Sequence, residues 1–149
     1  MVINVYFYTD IRTIKPKDGM IYAALSAETP KGEVWIPHRD KVNANNTGAS
    51  VKALHDIIAG DEHHIDPYKG SRIVIHSTSP YVTTSLYNLK KWSGTGWKTS
   101  KGADIAHKEE WQEINCNLAG NRFEVIDEKT DSEAVIRLLS NFIERKERE

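Results

Sequence analysis

The chain has 149 residues, 39% of them hydrophobic and 28% charged, with a formal net charge of −1 at pH 7, which predicts one globular domain over residues 1–149. The near-zero charge excludes a generally basic surface, so any attraction to nucleic acid has to be local. No apolar run approaches the roughly 18 residues of a membrane span, and the N-terminus lacks the basic region and cleavage site of a signal peptide, so we expect a protein of the reducing cytoplasm.

Three strands are predicted in the first third of the chain. The stretch from Val2 to Thr9 alternates and is rich in β-branched and aromatic residues, which is typical of a strand that ends before Asp10. Residues 20–27 and 33–37 are two further strand candidates, joined by a turn at residues 29–32. Three consecutive strands with short connections favour an antiparallel meander.

A helix, a strand and a second helix are predicted next. The first helix follows Asn45-Asn46-Thr47, and a short β-rich run at residues 73–75 is typical of a buried strand. The second helix has Ser79 as its N-cap and Pro80 in its first turn, and it runs to about residue 89. The apolar residues that predict the first helix are Val51, Leu54, Ile57 and Ile58.

A third helix, a fifth strand and a last helix complete the pattern. The third helix carries Trp111, Ile114 and Leu118 on one face, and residues 123–126 are typical of a short strand. Residues 130–133 form a capping-box pattern that opens the last helix. This helix is predicted to dock on the sheet through the pairs Ala134/Val135, Leu138/Leu139 and Phe142/Ile143. The element order is βββ-α-β-α-α-β-α, an α/β architecture.

The segment between the second and third helices is cationic and aromatic. No acidic residue interrupts it before Asp104. A cationic, aromatic excursion between two helices is suited to contact with a phosphate backbone, and hydroxyls such as that of Thr99 can donate to phosphate oxygens. In the alternative interpretation the lysines are solvated surface, and the tryptophans, with Trp111, pack the segment against its own helices. The residues concerned are Lys90, Lys91, Trp92, Trp97, Lys98 and Lys101.

The central third of the chain resembles the type 1 ribonuclease H family. LKKWSGTGWKTSKG followed by KEEWQEI is similar to the basic protrusion of that family, and we call residues 89–102 the handle. The preceding STSPYV resembles the family's strand-to-helix signature Thr-Asp-Ser-Gln-Tyr-Val. The resemblance implies a ribonuclease H-like fold, a five-stranded mixed sheet with helices on both faces and a basic handle. It also implies cleavage of the RNA strand of RNA–DNA hybrids by two Mg²⁺ or Mn²⁺ ions on about four carboxylates.

The carboxylates that this resemblance implies are mostly missing. Asp10 matches the first position, although Ile11-Arg12 replaces the family's Gly-Ser. Ala49 and Thr78 occupy the second and third positions, and a hydroxyl is a far weaker ligand than a carboxylate. The fourth position falls within residues 134–137, which contain no carboxylate. We therefore predict a catalytically degenerate homologue without a metal cofactor, in which Asp10 caps a turn at the strand end.

Residues that contact the duplex in the family are better retained. Asn45 and Asn46 match an asparagine pair that reaches the minor groove of the hybrid, with capping of the first helix as the alternative. Pro80 replaces a glutamine that also contacts the groove. We predict binding of RNA–DNA hybrid or another duplex. The residues assigned to this contact are Asn45, Asn46, Lys90, Lys91, Trp92, Trp97, Lys98, Thr99 and Lys101.

Two other functions stay open. An active, metal-dependent ribonuclease H needs Asp10 as a catalytic residue and a slipped alignment that recruits Asp127, Asp131 or Glu133. A protein-binding module built on the same frame needs no contact with nucleic acid. The sequence alone does not decide among the three.

The remaining metal-capable residues receive plain structural interpretations. The acidic and histidine-bearing run at residues 61–66 is interpreted as a polar loop, and His38, His55 and His107 as isolated residues. The single cysteine, Cys116, is interpreted as a small buried side chain.

Overall fold

The computed structural model of the chain describes residues 2–60, 70–128 and 132–148, with side chains as far as residue 141. In these ranges the strands are β1 (Val2–Thr9), β2 (Lys17–Thr29), β3 (Gly32–Ala44), β4 (Arg72–Ser77) and β5 (Arg122–Asp127). The helices are α1 (Asn46–Ile58), α2 (Pro80–Gly94), α3 (Lys108–Leu118) and α4 (Glu133–Arg148). The predicted order of elements is therefore confirmed.

The strands form one mixed sheet in the order β3-β2-β1-β4-β5. The pairs β1–β2 and β2–β3 are antiparallel, which confirms the predicted meander, while β4 runs parallel to both β1 and β5. Parallel neighbours need a crossover connection, and α2 and α3 supply the one from β4 to β5. The carboxyl ends of β1 and β4 consequently lie side by side at one edge of the sheet.

Alternation along β1 separates two cores. Ile3, Val5 and Phe7 are buried on the face covered by α1, α2 and α3. Tyr6 and Tyr8 lie on the opposite face and pack against the core formed with α4. Because successive strand residues face opposite sides, Asp10 continues the α4 face. The predicted mixed sheet with helices on both faces is confirmed.

Strands β2 and β3 are longer than the sequence predicted. Pro37 suggested the end of the third strand, yet β3 continues to Ala44. Proline is tolerated in an edge strand, where its missing N–H faces outward, and Pro37 pairs with Ala24 on β2. Both strands extend for 13 residues because they pair along their whole length, from Thr29 opposite Gly32 onward.

Helix α2 extends about one turn beyond the predicted end. The Ser79 hydroxyl accepts a hydrogen bond from Val82 N–H at 3.3 Å, which confirms the predicted cap. The helix continues to Gly94, and Thr95 N–H donates to the Lys91 carbonyl at 3.1 Å. As a result, Lys90 and Lys91, the first lysines of the handle, lie on a helix instead of a loop.

The start of α4 departs from the predicted capping box. The Ser132 hydroxyl accepts from Val135 N–H at 3.4 Å, so Ser132 caps this helix, while Thr130 lies outside the described residues. Val135 is buried, but Ala134 is exposed, because neighbouring helical positions are about 100° apart and only one of the pair faces the sheet. Leu139 is buried and Leu138 half-buried. The pair at residues 142–143 lies outside the described side chains.

Candidate functional site

Asp10 lies at the edge where β1 and β4 end, and its carboxylate is engaged with the backbone of β2. Its Oδ1 accepts a hydrogen bond from Met20 N–H at 2.9 Å, and its own N–H donates a hydrogen bond to the Met20 carbonyl at 3.3 Å. A Cβ on Gly19 would overlap Ile11 Cγ1 and lie 2.7 Å from Asp10 Oδ1, so this close approach needs glycine at position 19. The carboxylate closes the strand end, in agreement with the turn-capping interpretation.

The other two positions at this edge contribute no charge. Ala49 is completely buried in α1. Thr78 follows β4 and is 5% exposed, and its hydroxyl donates to the Phe7 carbonyl of β1 at 3.0 Å. The hydroxyl therefore ties the two parallel strands together. We refer to Asp10, Ala49 and Thr78 as the metal-site positions.

Two tyrosines and an arginine form a cluster at the end of β1 that Asp10 follows. Tyr8 and Tyr22 stack with ring centroids 6.3 Å apart. The Arg12 guanidinium lies 5.0 Å from the Tyr8 ring centroid and donates to the Tyr8 hydroxyl at 3.0 Å. Burial and the charge of Asp10 raise the pKa of the Tyr22 phenol, so Tyr22 stays neutral. The sequence analysis missed this cluster, whose one signal was the even-numbered tyrosines on the face of Asp10.

The described residues do not fit a two-metal site. Two dications roughly 4 Å apart repel strongly, and clustered carboxylates are needed to hold them. No group of three or more His, Cys, Asp or Glu residues in the described ranges could hold a metal ion. Asp127 is exposed at the end of β5, and Glu133 pairs with Arg137 at 3.5 Å. Asp131 lies outside the described residues.

Both asparagines at the start of α1 have structural contacts. Asn45 Oδ1 accepts from Gly48 N–H at 2.8 Å and caps the helix. Asn46 Nδ2 donates to the Ile11 carbonyl at 2.8 Å, and its N–H donates to the Thr13 carbonyl at 2.9 Å. The capping alternative is correct for Asn45, and Asn46 fastens α1 to the loop after Asp10. Their contact with a groove stays a prediction.

The tryptophans of the handle pack on one another and on α3. The Trp92 ring lies 6.4 Å from Trp97 and 6.3 Å from Trp111, measured between centroids. Trp111 is completely buried, and its ring centroid lies 6.3 Å from that of Tyr81 on α2. Trp92 and Trp97 are half-buried. The packing alternative therefore describes these rings, and they form a firm base for the handle.

The chain beyond α2 folds back on itself in a compact loop. Trp97 has a left-handed φ of 64°, its N–H donates to the Trp92 carbonyl at 2.9 Å and its carbonyl accepts from Ile105 N–H at 3.0 Å. Thr99 N–H donates to the Ala103 carbonyl at 2.7 Å. The Thr99 hydroxyl accepts from Ala103 N–H at 3.2 Å. Backbone hydrogen bonds thus hold the tip of the handle in one shape.

The handle lysines fall into two groups. Lys90 and Lys91 on α2 and Lys101 at the loop tip are exposed. Lys98 pairs with Asp104, which Lys108 also approaches at 3.6 Å. The hydrogen bond from Lys98 and the charge of Lys108 hold the pKa of Asp104 below its ordinary value. Lys98 is therefore already compensated, and the net positive charge of the handle comes from the first group.

The interpretation of His38 and His55 as isolated residues was wrong. His38 Nε2 on β3 lies 3.1 Å from Asp56 Oδ2, and His55 Nδ1 lies 3.5 Å from Asp56 Oδ1. The sequence could not show this, because pairing β3 with α1 depends on the tertiary fold. His107 is not isolated either, since its ring centroid lies 6.4 Å from that of Tyr81, although its side chain makes no capping hydrogen bond at the start of α3.

The interpretation of Cys116 as a buried residue was also wrong. Its side chain is exposed, because it lies two positions after the buried Ile114, on the solvent side of α3. The acidic run at residues 61–66 lies outside the described residues. Within those that are described, no helix is both long and apolar enough to cross a membrane.

No protein-family profile matches the chain, and no curated protein matches it in sequence. Solved structures do match. LC9-RNase H1, described as a type 1 RNase H with the type 2 active-site motif, superposes with a TM-score of 0.70 at 17% identity, over 95% of this chain and 69% of that one. The chain has the ribonuclease H-like fold.

Two foamy-virus structures extend this comparison. The ribonuclease H domain of prototype foamy virus, determined in solution, has a TM-score of 0.57 at 16% identity, over 94% of this chain and 92% of that one. The foamy viral protease-reverse transcriptase in complex with RNA/DNA hybrid has a TM-score of 0.53 at 18% identity, over 95% of this chain and 18% of that one. The fold that the sequence resemblance implied is confirmed, and at these identities the likeness is one of fold.

Proposed function

We propose that the chain is a catalytically degenerate ribonuclease H homologue that binds RNA–DNA hybrid or another nucleic-acid duplex through its handle. One observation carries the proposal. Lys90, Lys91 and Lys101 are exposed on a handle whose tryptophans pack on one another and on α3, whereas Ala49 and Thr78 leave the metal-site positions with one carboxylate. The handle therefore has the cations that contact with a phosphate backbone needs, whereas the metal-site positions lack the carboxylates that cleavage needs.

Electrostatics supports a grip that is local to the handle. The whole chain has a net charge of −1, so its average field does not attract a polyanion. Lysines concentrated on one protrusion can each neutralise a phosphate and release a counterion, which makes the affinity strongly salt-dependent. The exposed Thr99 at the loop tip adds a hydroxyl beside these lysines.

The start of α1 supplies the second contact in this proposal. Asn45 uses its Oδ1 to cap the helix, but a side-chain amide also carries two N–H donors. These donors can reach 2′-hydroxyls and base edges in the shallow minor groove of an A-like duplex. We assign the groove contact to Asn45 and Asn46, and the backbone contact to the handle. Neither contact uses a metal cofactor.

The proposed compartment is the reducing cytoplasm. Cys116 is exposed and forms no disulfide in the described part of the chain. A free surface thiol persists most readily where glutathione keeps thiols reduced.

Fluorescence anisotropy tests the proposal with one sequence prepared as RNA–DNA hybrid, double-stranded RNA and double-stranded DNA. The triple variant Lys90→Ala/Lys91→Ala/Lys101→Ala should bind hybrid about 10- to 100-fold more weakly at 0.1 M salt, and its log–log salt slope should fall by about 2–3. The matched control, Lys15→Ala/Lys31→Ala/Lys41→Ala, removes three exposed lysines outside the handle. Equal losses in both variants, or no hybrid affinity at low salt, would reject the proposal in favour of a protein-binding module.

A second candidate is an active ribonuclease H with rearranged ligands. The observation in its favour is LC9-RNase H1 itself, a type 1 RNase H described as carrying the type 2 active-site motif. For this chain, Asp10 would then act with Asp127, Asp131 or Glu133. Metal-dependent cutting of labelled hybrid that disappears in Asp10→Asn would favour this candidate.

A further inference from the structure

An ionisable network joins α1 to β3 and to α3. His55 of α1 lies between two carboxylates, because its Nδ1 is 3.5 Å from Asp56 Oδ1 and its Nε2 contacts Glu113 Oε2 on α3. Asp56 Oδ2 also lies 3.1 Å from His38 Nε2 on β3 and accepts from Lys52 Nζ at 3.1 Å. One imidazole therefore links the helix that carries the asparagines to the helix that follows the handle.

The link lies between the two surfaces assigned to nucleic acid. Helix α1 begins directly after Asn45, and α3 carries Trp111, on which Trp92 of the handle packs. Glu113 is two residues beyond Trp111, on the exposed side of α3. A change in the His55–Glu113 contact therefore acts on the helix against which the handle is packed.

The surroundings of His55 favour its protonated form. His55, Asp56 and Glu113 line a groove of about 530 Å³ between α1 and α3. The hydrogen bond to Asp56 is the largest influence and, with Glu113, it raises the pKa of His55 against the opposing effect of burial. Burial disfavours the charge of Asp56, but hydrogen bonds from His38, His55 and Lys52 outweigh it and lower the pKa of Asp56. The titratable and charged groups around His55 are Lys52 and Asp56 of α1, His38 of β3, His107 of the loop, and Glu110 and Glu113 of α3.

We propose that protonated His55 is a pH-dependent tie between α1 and α3 that sets the position of the handle relative to the start of α1. The tie is a property of the free protein, and its consequence for nucleic-acid binding rests on the proposed function. When His55 loses its proton, the charge attraction to Glu113 is lost, and the contact of α3 with α1 depends more on the apolar face of α3. That face consists of Trp111, Ile114 and Leu118.

The sign of the pH dependence follows from the two shifts. Since the pKa of His55 is raised on folding, its contribution is complete below about pH 6.5, the ordinary value, and is lost as pH rises through the raised value. Since the pKa of Asp56 is lowered, its contribution is present above about pH 4 and is lost as pH falls through the lowered value. With Asp56 ionised, the tie is therefore complete up to about pH 6.5 and weakens as pH rises further.

Nuclear magnetic resonance of the free protein tests the tie. The His55 ring should titrate above the ordinary histidine value, and Glu113→Gln should lower that pKa. The matched control is Glu110→Gln, because Glu110 lines the same groove on the preceding turn of α3. Among the described residues of α3, His55 contacts Glu113 and not Glu110. This control should leave the His55 titration close to that of the wild type.

Amide hydrogen exchange supplies a second readout. After correction for the intrinsic pH dependence of exchange, opening of α3 should increase about two- to five-fold as pH rises through the His55 titration. In Glu113→Gln this increase should be absent, because α3 opens at the higher rate throughout. A His55 that titrates at the ordinary value, equal effects of the two variants, or α3 protection that does not change across the titration would overturn the tie. Neither readout uses nucleic acid, so this failure is distinguishable from a failure of hybrid binding.

Discussion

The handle and the edge that carries the metal-site positions are built in opposite ways. In the handle, the half-buried Trp92 and Trp97 pack against each other in a tilted arrangement, while Lys90 and Lys91 are exposed to solvent. At the edge, the polar groups are hydrogen-bonded to the backbone, because Asp10 accepts from the Met20 amide and the Thr78 hydroxyl donates to the Phe7 carbonyl. Groups committed to the backbone stabilise the fold, whereas exposed cations remain available to a partner.

Under the proposed function, this contrast describes a frame that lacks the carboxylates for a reaction and carries the lysines for a contact. A cluster of carboxylates without its metals is destabilised by repulsion between like charges. Ala49 and Thr78 remove that repulsion and contribute apolar burial and a strand-to-strand hydrogen bond instead. Repulsion among the lysines of the handle is weaker, because they are exposed to water, which screens their charges.

The largest expected effect is at the base of the handle. Trp111→Ala removes a completely buried ring that contacts Trp92 and Tyr81, so the free energy of unfolding should fall by about 3–5 kcal/mol. Urea denaturation measures it, with Tyr87→Ala as the control, because Tyr87 is 68% exposed and should change stability by less than about 0.5 kcal/mol. A loss below about 1 kcal/mol for Trp111→Ala would contradict the rigid base.

A smaller effect is expected at the metal-site edge. In Gly19→Ala the new Cβ would overlap Ile11 and Asp10 Oδ1, and relief of this overlap should cost about 1–3 kcal/mol of unfolding free energy. Gly94→Ala is the matched control, since a Cβ there meets nothing within 4 Å and alanine favours a helix by about 1 kcal/mol over glycine. If the two variants were equally stable, the close contact between Gly19 and Asp10 would be refuted.

The role of Thr78 can be separated from that of a ligand. Thr78→Val keeps the shape of the side chain but leaves the Phe7 carbonyl without this donor, so stability should fall by about 1–3 kcal/mol. Thr84→Val changes an exposed residue of α2 and should be near neutral by comparison. If Thr78→Val left the free energy of unfolding unchanged, the hydrogen bond from Thr78 to Phe7 would not stabilise the fold.

The smallest effect concerns pH. Because the pKa of His55 is raised, the wild type should exceed Glu113→Gln in unfolding free energy below about pH 6.5, and the difference should vanish as pH rises through the His55 titration. Glu113 is largely exposed, so the difference should be only about 0.2–1 kcal/mol. Denaturation curves at several pH values measure it, and a difference that grows with pH would have the wrong sign.

The sequence predicts the fold well where periodicity is local. Alternation in β1 and the spacing of Trp111, Ile114 and Leu118 were sufficient to place those elements and their buried faces. The length of β3 was not predictable, because Pro37 by itself predicts the end of a strand. Only the pairing of β3 with β2 shows that Pro37 lies in an edge strand, where proline is tolerated. Local propensity carries no information about such pairing.

The candidate site was predictable only in part. The missing charge at Ala49 and Thr78 is visible in the sequence once the neighbouring motifs fix the alignment. The hydrogen bond that Thr78 makes in place of a carboxylate is not visible in the sequence, because Thr78 and Phe7 are 71 positions apart. The network at His55 was missed for the same reason, since Glu113 is 58 positions away on another helix.

The central claim is that the handle holds a duplex that the metal-site edge does not cut. The most direct measurement incubates excess protein with hybrid labelled on its RNA strand, in Mg²⁺ or Mn²⁺, and scores retention and cleavage in the same samples. The account predicts hybrid that is retained and intact, equally for the wild type and Asp10→Asn, with retention lost in Lys90→Ala/Lys91→Ala/Lys101→Ala. RNA cut by the wild type and left whole by Asp10→Asn would contradict it.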